Sequence, residues 1–424
     1  SRRSRPLPDR HHEKGDFSQG VPWGVGDQRP GGGMGRGIAE GEVILVRNLL
    51  VGNGINIQFD AKSYSRQEIV LRLLKNCDRD DFPSHIIVDE PYLLKDYLGL
   101  LFLEAREIIK GEYDRYCVCS AERTSLKEFK NRYASSLHTL RMTDIGFEDY
   151  YLIHDLACHK QKIYNPDQYT VREAMRMAYL FSIYNDGKLN ELFIKYSPRF
   201  TEYLQGFDKI FTVNYDSNVE NATGKQIIHL HGQFDKVSDV YDPKSMRNHL
   251  PDAPINEIHI DPNYAFLYSN PISTHCGAYK ELHIKQVPLA NGALDKMRQA
   301  YMENEDVRNS VAEWISSENR LLSNFGHAIQ LRVANPELCF LNDYHFADFQ
   351  RLSGTLEILG FSPWNDLHLF DAIDQSDITE CCFYYHGDTA TEEIKRLLPR
   401  LCSSDGLRFI PVKDFWEKQH EKKN

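Results

Sequence analysis

The chain has 424 residues, 41% of them apolar and 26% charged, an ordinary balance for a folded protein of two or three domains. Its formal net charge of −11 opposes a nucleic-acid-binding or anionic-membrane role for the body as a whole. No apolar run approaches the length of a membrane span and nothing reads as a secretory signal, so the expected location is cytoplasmic. The nine cysteines are scattered with no Cys-x-x-Cys pair, which points to reduced, mostly buried thiols.

Residues 1–41, with "RPGGGMGRG", are rich in Arg, Gly and Pro and poor in aliphatics. Such a segment cannot bury enough surface to offset its ordering entropy, so it is read as a disordered extension or tag, with Met34 a candidate native start. Order is expected from near Val43, where "VILVRNLLV" reads as a buried strand followed at once by Gly52-Asn53-Gly54. From 65 to 205 the chain reads as helical: "RQEIVLRLLKN", "YLLKDYLGLLFLEAREIIKG", "LKEFKNRYASSLHTL" and "VREAMRMAYLFSIYN" place apolar residues three and four apart. Strands resume at Lys209–Asp216 ("KIFTVNYD") and Lys225–Phe234 ("KQIIHLHGQF"). A polar loop is expected around Asp239–Pro254 and a helix from Ala293 to about Asn324. "GTLEILGFSP", "ECCFYYHG" and "LRFIPV" read as further strands, with helical "TEEIKRLLPRL" between the last two.

Short continuous apolar strands separated by helices imply an α/β protein with a parallel sheet covered on both faces. The domains expected are 42–64 with 206–415 as a Rossmann-type sheet domain, and 65–205 as a large helical insertion after the first strand. Ligands of such sheets bind beyond the carboxyl ends of the strands. Four polar turns fall there: Gly52-Asn53-Gly54, Asn214-Tyr215-Asp216, His229-Leu230-His231-Gly232 and Gly360-Phe361-Ser362. The first is a weak signal alone, because Ile57 stands where a full G-x-G-x-x-G fingerprint needs its last Gly.

The ordered set, "FTVNYD", "HLHG" and "LGFSPWND" after a Gly-x-Gly turn, resembles the sirtuin family, and more closely the sirtuin-like domains of prokaryotic antiphage defence proteins. The resemblance covers about Val43–Gln58 and Phe207–Gly387. Two features depart from protein-deacylase sirtuins. The paired zinc cysteines are missing, and "INIQFDAKSYSRQ" stands where those enzymes carry a segment ending in Pro-Asp-Phe-Arg. Both departures fit a relative that hydrolyses the dinucleotide itself.

The resemblance implies an NAD+ glycohydrolase (an NADase) that releases nicotinamide and ADP-ribose, acting in defence by NAD+ depletion and abortive infection. It implies regulation within a homo-oligomer or by a partner subunit, such as a nucleotide-processing enzyme, a translocase ATPase or an Argonaute-type protein. Direct contact with nucleic acid or membrane is not expected. The alternatives are an NAD-dependent protein deacylase and a non-catalytic sensor of NAD or ADP-ribose.

By the same resemblance, Gly52, Asn53, Gly54 and Asn56 would hold the pyrophosphate, and Gly360, Ser362 and Asp366 the adenosine-side ribose and phosphates. Asn214 would be the neutral amide that orients a water or a ribose hydroxyl. Its ordinary role would be to bond its own turn. Asp216 either supports Asn214 or caps a helix at "SNVEN". His231 is the candidate base, since its reference pKa lies near neutrality. His229 falls on the same face two residues earlier, but the pair has no third ligand in the motif, and no metal is expected. Tyr384 and Tyr385 are expected to pack the last strands.

Overall fold

The computed structural model describes residues 45–420 except 85, 88–89, 165–166, 252–259, 363, 365 and 388. The segment 1–41 therefore lies outside the described residues. Six strands form one sheet: β1 (Arg47–Val51), β2 (Lys209–Thr212), β3 (Ile228–His229), β4 (Ser353–Leu359), β5 (Asp377–Tyr385) and β6 (Leu407–Pro411). Every pairing is parallel, and the order is β3-β2-β1-β4-β5-β6. This is the strand order of doubly wound dinucleotide folds, in which the direction of winding reverses between β1 and β4.

The alternation of strand side chains explains why these runs are apolar throughout. Leu50 pairs with Phe211 and Ile358, and Ile358 with Phe383, which sets one buried row across the sheet. Leu49, Val51, Ile210, Cys382 and Tyr384 face the other way. The first face is covered by α13 (Leu367–Gln375) and α14 (Thr389–Leu397), and the second by α7 (Pro198–Gln205) and α16 (Val412–His420). Each fully buried Leu or Phe contributes about 1.5–3 kcal/mol.

Between β1 and β2 run α1 (Gly54–Tyr64), α2 (Arg66–Asn76), α3 (Tyr92–Ile109), α4 (Ser120–Tyr133), α5 (Phe147–Gln161), α6 (Asp167–Tyr184) and α7. Ser65 accepts a hydrogen bond from the Glu68 amide and so caps α2. The amphipathic segments read from the sequence fall on α2, α3, α4 and α6, except that the third, 126–140, leaves α4 at Tyr133 and continues as a 3-10 turn at Ala134–Ser136. Helix α5 is different: from Asp149 to Cys158 it is buried all round, so it has no polar face to mark it. The core of these helices also takes in Tyr215, Phe234, Tyr241, Leu267 and Cys276 from the chain beyond β2.

Three expectations are corrected. The strand expected over 225–234 is limited to β3, because Gly232 turns the chain at φ +79, where a Cβ would meet Asn270 O at 2.4 Å. The helix expected over 293–324 is three: α9 (Gly277–Glu303), α10 (Glu305–Ile315) and α11 (Arg320–Ala334). Asn304 and Asn319 accept from the amides that follow them and start new helices there. The helical run after β5 breaks before Pro399, which starts α15 (Pro399–Ser403). The expected polar loop contains 3-10 turns at Asp239–Tyr241 and Met246–His249, and its remainder overlaps residues outside the described set. Among the described residues, no helix is long and apolar enough to cross a membrane.

Candidate functional site

A cleft of about 730 Å³ opens at the carboxyl ends of β1, β2 and β4, where the winding of the sheet reverses. Gly52, Asn53, Gly54, Asn56, Asn214, Asp216, His231, Gly360, Ser362 and Asp366 all line it. The fold thus brings together every candidate residue named from the sequence. Tyr384 also lines the cleft while packing on Phe415, so it reaches the site as well as the core. Tyr385 packs against Phe409.

The glycines at the floor serve the protein first. Gly52 N–H donates to Leu359 O at 3.0 Å and Gly54 N–H to Gly360 O at 2.7 Å. The turns after β1 and β4 therefore cross in direct backbone contact, and a Cβ on Gly54 would lie 2.6 Å from Gly360 Cα. The two amides that the sequence reading offered to a pyrophosphate are bonded within the chain. Asn53 and Ser362 are exposed at the rim, and Asn53 donates to Tyr64 O.

Asp216 is a buried bracket. Its Oδ2 accepts from Asn56 Nδ2 at 2.7 Å, and its Oδ1 accepts from the amide and the side chain of Asn218. It ties α1 to the start of α8 (Asn218–Thr223) and braces Asn56, while the N-cap position of α8 is Ser217. Burial raises its pKa, and the three donors oppose that rise. Asn214 N–H donates to Thr212 Oγ1, its Nδ2 donates to Gly52 O at 3.3 Å, and its carbonyl accepts from His229 Nδ1 at 2.9 Å.

The two motif histidines differ in kind. His229 donates from Nδ1 to Asn214 O and faces Glu220 Oε1 at 2.6 Å through Nε2. Burial lowers its pKa, but the bond to Glu220 and its charge outweigh burial and raise it. Both ring nitrogens are held, so His229 is a satisfied core histidine with no free lone pair to act as a base. His231 is 2% exposed, and its Nε2 has no hydrogen-bond partner among the described residues. Burial pushes its pKa well below the ordinary value. Asp366 opposes this fall, while Lys280 and His368 add to it. His231 thus stands on the cleft wall with burial disfavouring its charged form.

Three residues of the site escaped the sequence reading: Glu148 at the start of α5, Lys280 in α9 and His368 in α13. Lys280 is 1% exposed and donates to Glu148 at 2.8 Å and to Asp366 Oδ1 at 3.0 Å. That same Asp366 oxygen lies 3.6 Å from His231 Nε2. Burial works against the Lys280 charge, but Asp366 and Glu148 outweigh it and raise its pKa. Burial also disfavours the Asp366 carboxylate, yet Lys280 and His231 bring its pKa below the usual range. Burial pushes Glu148 up to about 7 against the pull of Lys280. Asp366 is thus the carboxylate beside His231, more than a residue waiting for a ribose. The ring of His368 stacks on His231 with centroids 5.9 Å apart, and neither of its nitrogens has a partner among the described residues.

Fold and site together define an α/β protein with a six-stranded parallel sheet and a cleft at its switch point. Comparison of the chain with protein-family models, with curated proteins and with solved structures finds no match.

Proposed function

We propose that the chain is a sirtuin-like NAD+ glycohydrolase. One observation carries the reading: the four motif-bearing strand ends converge on one cleft between β1 and β4, the crevice in which doubly wound sheets of this order bind dinucleotides. Its volume falls in the range of ligand pockets. Strand order supports the reading by fold analogy, and Asn214 and His231 support it by their chemistry.

In this reading NAD+ and water give nicotinamide, ADP-ribose and a proton. The nicotinamide–ribose bond breaks through an oxocarbenium-like transition state, as in other glycoside cleavages. The Asn214 amide orients a water or a ribose hydroxyl on the face opposite the leaving group. His231 Nε2, which has no hydrogen-bond partner among the described residues, accepts the proton. Asp366, held by Lys280, lies beside the imidazolium that forms. With the Gly52 and Gly54 amides already bonded, phosphate contact falls to the rim, where Asn53 and Ser362 stand.

The same reading makes the chain an effector of antiphage defence in the cytoplasm, controlled by self-association or a partner subunit. Helix α3 leaves Leu93, Leu100 and Leu103 about half exposed along one side, which supports an apolar contact there. The deciding experiment is incubation of the purified protein with NAD+, alone and with its genomic-neighbour proteins, followed by chromatography of the products. Nicotinamide and ADP-ribose support the reading. Release that requires an acyl-lysine peptide would replace it with deacylation, and binding without turnover under any of these conditions would replace it with a sensor.

A further inference from the structure

We propose that His231, Asp366 and His368 form a binding site for one divalent transition-metal ion of zinc chemistry, set in the wall of the cleft. Their ligand atoms lie within 4.8 Å of one another, and all three residues are buried. His231 Nε2 and both ring nitrogens of His368 are buried without a hydrogen-bond partner among the described residues. A buried polar group left unbonded costs about 1–3 kcal/mol, so three in one place call for an occupant.

The donor set selects the ion. Two imidazole nitrogens and one carboxylate oxygen suit Zn²⁺ and its neighbours, whereas Mg²⁺ and Ca²⁺ take oxygen ligands. Three protein ligands leave a fourth position for water, on the side where His231 and Asp366 line the cleft. Bonds of about 2.0–2.2 Å require the ligand atoms to close to roughly 3.5 Å of each other. His231 Nε2 and Asp366 Oδ1 are already 3.6 Å apart, so the movement falls mainly on the His368 ring.

Lys280 sits where a ligating carboxylate finds its outer partner. It donates to Asp366 Oδ1, the oxygen nearest His231 Nε2, whose second lone pair remains for the ion, and it donates to both oxygens of Glu148. The site joins His231, just past β3, to Asp366 and His368 at the start of α13, and it takes the same lone pair that the proposed base uses. Where the glycohydrolase reading holds, and only there, bound zinc inhibits turnover by occupying His231 Nε2.

The test uses the full chain, stripped with EDTA, dialysed and titrated with Zn²⁺ in competition with a chromophoric chelator. The expected result is one zinc per chain, bound at least 10-fold more weakly by His368→Gln and equally well by His249→Ala, a change at an exposed histidine outside the cluster. As a check independent of variant folding, Co²⁺ added to the wild-type protein should give the visible absorption of a low-coordinate nitrogen–oxygen site. Wild-type protein that takes up no zinc, zinc uptake unchanged in His368→Gln, or a featureless Co²⁺ spectrum would each overturn the proposal. None of these readouts depends on NAD+ turnover. A chain that binds zinc without cleaving NAD+ keeps the metal site and loses the glycohydrolase reading. If it cleaves NAD+, zinc should inhibit the wild type and EDTA should restore it.

Discussion

Lys280 and Asp366, 86 residues apart in the chain, meet at 3.0 Å, and the carboxylate oxygen they share lies 3.6 Å from His231 Nε2. A buried ammonium between two buried carboxylates is stable only while all three are present. Lys280→Met should therefore destabilise the protein by about 3–5 kcal/mol, because Glu148 and Asp366 are then left without a counter-charge. Urea unfolding would measure this. Adding Glu148→Gln should recover part of the loss, and an additive double variant would mean that the pair does not interact.

His231→Ala should reduce nicotinamide release by about 100- to 10,000-fold and leave the fold intact. His229→Ala should act on stability instead, since its ring is bonded to Asn214 O and Glu220 and faces away from any free lone pair. Turnover and thermal unfolding of both variants separate the two roles. Near-normal turnover in His231→Ala would remove it from the mechanism.

Asn214→Ala should lower kcat far more than NAD+ affinity. An interaction made only in the transition state appears in the rate and not in ground-state binding. Calorimetry with NAD+ beside turnover under activating conditions gives both quantities. A parallel fall would make Asn214 a residue that shapes the pocket.

Stability should fall with acid through His368. Burial lowers its pKa from 6.5 to about 4. A lowered histidine contributes stability that is present above the unfolded value of about 6.5 and is lost as the pH falls toward the folded value. In that window the unfolded chain takes up a proton that the folded chain refuses. The loss amounts to as much as about 3 kcal/mol across the window. Urea unfolding at pH 7, 6 and 5, with EDTA present, should show a shallower slope for His368→Gln than for the wild type. Equal slopes would place the acid sensitivity elsewhere.

Replacing Leu100 and Leu103 by Lys should weaken self-association or partner binding without changing the fold, because both are more than half exposed on α3. Light scattering after size-exclusion chromatography, with the partner proteins present, would detect it. Unchanged assembly would move the contact off this helix.

Much of this molecule was legible from local pattern alone. Strands buried on both faces read as continuous apolar runs, as in "NLLV" and "KIFT", and amphipathic helices read at three- and four-residue spacing, as in α2 and α6. The polar strand ends from Gly52 to Asp366 could be named in order because turn chemistry is local. Packing on all sides hid other parts: α5 has no polar stripe, so Glu148 carried no sign of facing the cleft. Lys280 was hidden for a different reason, since a lysine in a helix is ordinarily solvated, and its burial depends on two carboxylates brought from elsewhere in the chain.

Two decisions belonged to the tertiary structure. Which motif histidine keeps a nitrogen without a hydrogen-bond partner among the described residues depends on Glu220, which holds His229. The bonding of the glycine amides came from the crossing of the β1 and β4 turns, a backbone contact between segments about 300 residues apart. Residue type and spacing determine what a segment can do by itself. Charge balance, burial and close approach are properties of pairs, and those pairs exist only once the sheet has brought the strand ends together.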